Sequence, residues 1–225
     1  MAFLRWLGHA TFTLETPKRT LLFDPWLNPK PLQVKRYIPP AVTQERIRSA
    51  DLIFVTHEHF DHCDHYDIER IVDRTNAFVV GPIEALSLIE SRSQNKMPVN
   101  EDDIFSARGV DIEVVEARHP QSTHPVGFVV RCDGKSIYFA GDTYEFIAMR
   151  EIEVDTAVLP ISGGYAMDSI GAANSLKKLT AKYAVPCQFG TFPGITSDAR
   201  LFRGLVSESK KSEPVVLQVG EGFEF

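Results

Sequence analysis

Residues 52 to 65 read LIFVTHEHFDHCDH. An unbroken apolar run of this length reads as a central strand with both faces covered. Directly behind it, residues 56–65 hold four of the chain's seven histidines and three carboxylates. In an extended strand, residues i and i+2 share a face, so His57 and His59 can aim at one point from the end of such a strand. Asp61 and His62 are adjacent and converge only if the chain turns there, as it would on entering a helix near Tyr66. They therefore suit a second ion beside a first. Imidazole and carboxylate donors without a thiolate set fit zinc, manganese or iron(II), whereas calcium and magnesium favour all-oxygen shells. Cys63 lies inside the cluster and is a further group within reach of a metal.

The rest of the chain supplies the frame for this cluster. Short β-like runs at 3–7, 11–15 and 20–24 predict an antiparallel meander. The run 52–55 then starts an alternation of strand and helix: a helix over 66–74 with Ile68, Ile71 and Val72 on one face, a strand over 77–81 and a helix over 83–91. The second half repeats the scheme. Strands are expected at 111–117, 127–133 and 136–142, the last two joined by a DGK turn, and another at 156–160. A helix follows over 168–183, with Asp168 as N-cap and Leu176, Leu179 and Tyr183 at helical spacing. A strand over 185–190, a helix over 198–210 opened by Ser197 or Asp198, and a strand over 214–219 complete the pattern. Two β-rich sections, each followed by helices, predict an α/β fold of four layers, an αββα sandwich.

Composition agrees with an ordinary globular protein. Of the 225 residues 44% are hydrophobic and 24% charged, without repeats, low-complexity tracts or charge blocks, and we expect one domain over residues 1–225. The start MAFLRWLGHATFTLE alternates in polarity and carries an arginine, unlike a signal peptide, and no window has the length of a membrane span. The three cysteines are few, odd in number and widely spaced, which suits a reducing compartment, and a cytoplasmic location is expected. A net charge of −6 does not favour a nucleic-acid partner.

The motif THEHFDHCDH resembles the signature of the metallo-β-lactamase superfamily of metal-dependent hydrolases. The opening LGHATFTLET…TLLFDPWL, with IYFAGDT, LPISGGYAMD and FGTFP, is similar to the ascorbate-phosphate-lactonase-like branch of that superfamily. The resemblance implies the αββα sandwich with metals in the cleft at the shared edge of the two sheets. It implies His57, His59 and His119 as ligands of a first ion, Asp142 as a bridging carboxylate, and Asp61 and His62 as ligands of a second. His124 in RHPQSTHP is the alternative to His119. By the same resemblance Asp24 orients a metal-binding histidine through its second nitrogen. His9 either lines the cleft or is a satisfied polar residue. Relatives commonly have a histidine where this chain has Gln188, whose amide oxygen is the weaker ligand for zinc. One tightly held ion and a weaker second one, Zn2+, Mn2+ or Fe2+, are therefore expected, or else Gln188 is a hydrogen-bonding residue beside a single metal.

A metal lowers the pKa of bound water to roughly 7, so the expected reaction is hydrolysis, by metal-activated hydroxide, of an ester, lactone, amide or phosphodiester bond. Asp61 is the candidate catalytic proton carrier, and no G-x-S-x-G element supplies a serine nucleophile. Specificity is expected from the loops 26–40, 119–126 and 163–169. Lys30, Lys35 and Arg36 in the first of these suggest a small anionic substrate, with a phosphorylated sugar lactone as one candidate by resemblance. The competing function is a metal-binding regulatory or interaction protein on a hydrolase fold, which Gln188 favours. Resemblance also points to a homo-oligomer, with Tyr37, Ile38, Pro39 and Pro40 as either a contact surface or a lid over the cleft.

Overall fold

Period-two alternation in the strands decides which layer each side chain enters. The computed structural model describes residues 1–90, 93–195 and 197–225. In chain order the strands are β1 (Phe3–Gly8), β2 (Thr11–Glu15), β3 (Thr20–Phe23), β4 (Leu52–Phe54), β5 (Phe78–Gly81), β6 (Lys96–Pro98) and β7 (Ile104–Ala107). They continue as β8 (Val110–Glu116), β9 (Val126–Cys132), β10 (Lys135–Phe139), β11 (Glu153–Pro160), β12 (Thr180–Cys187), β13 (Glu213–Pro214) and β14 (Gly222–Glu224). The α-helices are α1 (His65–Thr75), α2 (Ile83–Ser87), α3 (Ser169–Ser175) and α4 (Ala199–Ser209).

Two seven-stranded mixed sheets result, in the orders β14-β1-β2-β3-β4-β5-β6 and β13-β12-β11-β10-β9-β8-β7. In each, an antiparallel meander passes into a parallel section, at β3–β4 in the first and β10–β11 in the second. Leu21, Phe23, Leu52, Phe54 and Val80 face the second sheet, while Leu22, Ile53 and Val79 between them face outward. The inner layer is aromatic: Phe23 stacks on Phe139 at 4.8 Å and Phe54 meets Phe128 at 5.1 Å. Outside the first sheet, α1 sets Ile68, Ile71 and Val72 on Ile53 and Val79. Outside the second, Ala172, Phe202 and Val206 of α3 and α4 cover Tyr138, Ala157 and Ala184. These layers form the metallo-β-lactamase fold, the four-layer sandwich expected from the sequence.

Helix starts follow the side chains. Asp64 caps α1 by accepting from Asp67 N, Asp168 caps α3 through Ile170 N and Gly171 N, and Asp198 rather than Ser197 opens α4.

Three element expectations are corrected. The helix expected over 168–183 ends at Ser175; tight turns at Lys177 and Lys178 follow, and Thr180 N donates to Ile152 O to begin β12. Leu176 and Leu179 are buried in that turn, and Tyr183 pairs with Thr156 in the sheet, so pairing with β11 overrides the helical spacing. The strand expected over 214–219 pairs only at Pro214, after which Val216 and Leu217 turn into separate core layers. The closing strand is β14, antiparallel to β1. The helix expected over 83–91 stops at Ser87, and Ser91 lies outside the described residues.

Candidate metal centre

The parallel strand β4 ends at Phe54, and the chain then coils through residues 55–64 before α1. His57 and His59 therefore converge from a loop and not from the strand itself, which corrects the i, i+2 argument while leaving its outcome intact. His57, His59, His119 and Asp142 each place one donor atom within 4.8 Å of all the others. His119 follows β8, and Asp142 follows β10. His124 stands apart from this group, beside Glu84 at 3.6 Å, whereas His119 is part of it. Cys63 is buried with its thiol toward Ala85 O at 3.7 Å and belongs to neither group, and burial pushes its pKa up to about 12. His65 lies on the exposed face of α1 near Glu69.

The hydrogen bonds around the three histidines fix which nitrogen points inward. His119 Nδ1 lies 2.9 Å from Tyr165 O and His59 Nε2 lies 3.1 Å from Gln121 O. A carbonyl oxygen only accepts, so both outer nitrogens carry the proton. Thr56 Oγ1 donates to Asp24 Oδ2 at 2.7 Å and so accepts from His57 Nδ1 at 3.0 Å. The inward atoms, His57 Nε2, His59 Nδ1 and His119 Nε2, are thus bare lone pairs. Two of them, His59 Nδ1 and His119 Nε2, face each other at 3.2 Å, and buried His57 Nε2 has no hydrogen-bond partner. Asp142 Oδ2 stands 3.9 Å from the His57 nitrogen and 3.7 Å from that of His119. Lone pairs and a carboxylate converging without a donor fit a cation.

Beside this group lies a second, formed by His9, Asp61 and His62. His9 Nε2 is 3.0 Å from Asp61 Oδ2, and His62 Nε2 is 3.3 Å from Asp142 Oδ1. Asp142 thus turns one oxygen to each group. Asp24, fully buried, takes His62 Nδ1 at 2.6 Å, the orienting contact expected of it. Gln188 reaches the same place, but presents its amide nitrogen: Nε2 donates to Asp142 Oδ1 at 2.5 Å and lies 3.3 Å from His62 Nε2. In this orientation Gln188 hydrogen-bonds the donors of the second group; turning the amide over would present its oxygen, the ligand atom expected of it, to the same place.

Electrostatics separate the two groups. Burial lowers the pKa of His57 well below that of a free imidazole and also lowers those of His119 and His9, keeping them neutral, the form that binds metal. Burial acts against a charge on His62 as well, yet the Asp142 and Asp24 carboxylates outweigh it and hold that ring protonated. Against burial, which raises both, the neighbouring His62 holds Asp142 below the usual carboxylate range, and the hydrogen bond from His9 does the same for Asp61.

A cavity of about 290 Å3 opens over both groups. The three loops expected to govern specificity all reach it, through Val34, Gln121 and Tyr165. The cations of the first loop do not: Lys30, Lys35 and Arg36 are absent from its walls. Sequence reasoning left His9 undecided and missed Phe192 and Ile195 as lining residues. The glycine before His9, at φ 121°, is the signal that a sharp turn follows β1 there.

A four-layer sandwich with a histidine and aspartate cluster in the loops that follow β4, β8 and β10 is the arrangement of the metallo-β-lactamase class. Residues 3–188 match the Beta-lactamase superfamily domain family. The chain is 33% identical, over the whole of both sequences, to a UPF0173 metal-dependent hydrolase of Thermofilum pendens. It is 35% identical to another from Caldivirga maquilingensis, over 91% of this chain and 89% of that one. Among solved structures it is similar to Igni18, a metallo hydrolase from Ignicoccus hospitalis, with a TM-score of 0.80, 28% identity and coverage of 100% and 99% of the two chains. The protein therefore belongs to the UPF0173 metal-dependent hydrolases of the β-lactamase superfamily.

Proposed function

We propose that His57, His59, His119 and Asp142 hold a divalent metal at which the protein hydrolyses an ester, lactone or related bond of a small molecule. The observation that carries this reading is the set of inward imidazole lone pairs, two of them 3.2 Å apart, around a carboxylate. When bound, zinc, manganese or iron(II) there supplies Lewis acidity and brings the pKa of water to about 7. The chain's own groups do the rest. Asp61 lines the cavity and is held in place by His9 Nε2, which makes it this chain's candidate proton carrier. His9, Asp61 and His62 would hold a second, weaker ion, which must displace the proton of His62 and compete with the amide of Gln188. Phe60 and Phe192 line the sides of the cavity.

The lactonase-like branch is supported only by the motifs that suggested it, and the absence of cations from the described cavity walls speaks against a phosphorylated sugar lactone. The experiment is turnover of p-nitrophenyl esters, γ-lactones and bis(p-nitrophenyl) phosphate by protein supplied with each metal in turn. Hydrolysis abolished by a chelator and by Asp61→Asn supports the proposal. Tight metal uptake with no turnover of any probe would leave the metal-binding regulatory protein as the better reading.

A further inference from the structure

The cavity changes character away from the candidate ligands. Its remaining walls are Val34, Phe60, Phe192, Ile195 and Tyr165, with Gln121 and Ser162 as the polar exceptions, and no lysine or arginine lines it among the described residues. The cavity's volume, about 290 Å3, is at the small end of ligand pockets, which run from about 300 to 1,000 Å3. Its aromatic wall is fixed before any ligand arrives: Trp26, fully buried, meets Phe60 edge-on at 5.7 Å and Phe192 at 6.1 Å, and His9 packs on Phe192 at 5.1 Å.

The Arg36 side chain, absent from these walls, is occupied elsewhere. The Arg36 guanidinium lies over the Trp26 ring at 4.0 Å and donates to Trp26 O and Ile38 O, each at 2.9 Å. Its third nitrogen is buried against Gly8, where an added Cβ would come within 2.9 Å of it. Arg36 thus braces the back of the wall. Lys30 and Lys35 are exposed outside the cavity. The fixed charges that do face inward are the Asp61 and Asp142 carboxylates. Ser162 offers an uncharged hydroxyl, buried and without a partner.

We infer that the part of the substrate beyond the scissile bond is a short, uncharged alkyl or aryl group. The substrate class is therefore small neutral esters or lactones of apolar acids or alcohols, not phosphorylated or carboxylated compounds. This rests on the hydrolase reading of the same centre and replaces the anionic substrate expected from Lys30, Lys35 and Arg36. A metal attracts negative charge at the scissile end only. A carboxylate carried on the far side loses its hydration among Phe60, Phe192 and Ile195 and gains no cation in exchange. An apolar group in the same space gains from burial, about fourfold in affinity per methylene.

Two readouts keep this claim separate from the claim of hydrolysis. In the first, zinc-loaded protein is titrated calorimetrically with hydroxamates, which anchor on the metal whether or not the protein turns over a substrate. The set comprises acetyl, butyryl and phenyl members and a para-carboxyphenyl member. Affinity is expected to rise from acetyl to butyryl and phenyl, and to fall on the order of a hundredfold when the carboxylate is added. Ile195→Lys, placing a cation on the wall, is expected to narrow or invert that difference. In the second readout, kcat/KM is compared for phenyl esters with and without the same carboxylate. Neutral preference in both readouts supports the inference. Neutral preference in binding without turnover supports this assignment of the cavity and sinks the hydrolase reading alone. Equal or tighter binding of the carboxylated member, or no gain from acetyl to phenyl, overturns the inference regardless of turnover.

Discussion

Asp24 Oδ2 and His62 Nδ1 lie 2.6 Å apart with both side chains fully buried, and the same carboxylate accepts the Thr56 amide at 2.8 Å and the Thr56 hydroxyl at 2.7 Å. One buried group therefore sets the proton positions of two candidate ligands, His62 directly and His57 through Thr56. In Asp24→Asn an amide N–H2 takes the place of the accepting oxygen, so His62 loses the carboxylate that orients it, and Thr56, no longer donating to Asp24, can donate to His57 Nδ1 and drive that ring's proton to its inward nitrogen. Metal affinity is expected to fall about 10- to 100-fold, the usual effect of losing such an orienting partner. Calorimetric titration checks this, with circular dichroism confirming the fold; unchanged affinity in a folded variant rejects the role.

Gly141 connects β10 to Asp142 with φ +60°, and an added Cβ would stand 2.7 Å from Thr56 Cβ and Cγ2. Gly141→Ala must displace Thr56, the residue that fixes His57. A loss of about 1–3 kcal/mol of stability is expected from overpacking and the strained φ, together with weaker metal binding. Thermal unfolding and metal titration of the variant report the two effects. A wild-type melting temperature would show that the close approach is not a constraint.

Asp67, a member of neither metal group, gives a pH dependence of stability. Burial, reinforced by Asp64, raises its pKa to about 7, although its Oδ2 accepts from Leu27 N at 2.6 Å. The folded state holds the proton more tightly than the unfolded one. Stability is therefore lost as pH rises from about 4 to about 7, and the cost is fully present above that. Asp67→Asn keeps an acceptor for Leu27 and removes the ionisation. Each tenfold difference in proton affinity between the folded and unfolded states is worth about 1.4 kcal/mol. The variant is therefore expected to gain a few kcal/mol at most at pH 8 and much less at pH 4. Urea denaturation at the two pH values tests the sign; equal effects at both would show that Asp67 ionises normally.

At the second group, Gln188 donates to Asp142 Oδ1 and approaches His62 Nε2, the atoms a second ion would use. Gln188→His replaces that donor by a ligand. The metal stoichiometry is expected to rise toward a second ion and the weaker binding step to tighten, on the order of tenfold or more. No change in either number would mean that Gln188 does not limit the second group.

The layers and most of the first group were legible because each rests on a local pattern. Leu22 alternates with Leu21 and Phe23 across a sheet, and α1 shows Ile68, Ile71 and Val72 at helical spacing. The failures come from long-range pairing. Tyr183 fits a helix by spacing and lies in β12 because β11 pairs with it. The second group was harder to read for a different reason. His9, Asp24 and Gln188 all adopt left-handed backbone, at φ 54°, 40° and 59°. Such conformations cost non-glycine residues about 1–3 kcal/mol each and leave no trace in residue type. Their strain is held by contacts that only the fold creates, such as Gln188 N donating to His9 O at 3.1 Å. The amide nitrogen of Gln188 turned toward Asp142 is likewise a matter of orientation, which sequence does not carry.

The central claim is that His57, His59, His119 and Asp142 bind a divalent ion. Elemental analysis of protein purified without added metal, beside His119→Ala prepared in the same way, tests it most directly. Wild type is expected to hold about one tightly bound zinc, manganese or iron per chain, with any second ion partial and exchangeable. The variant is expected to lose the tight ion while remaining folded, since His119 stands on a loop outside the three hydrophobic layers. Wild type that neither carries metal nor takes it up tightly, or a variant with undiminished metal content, would contradict the account.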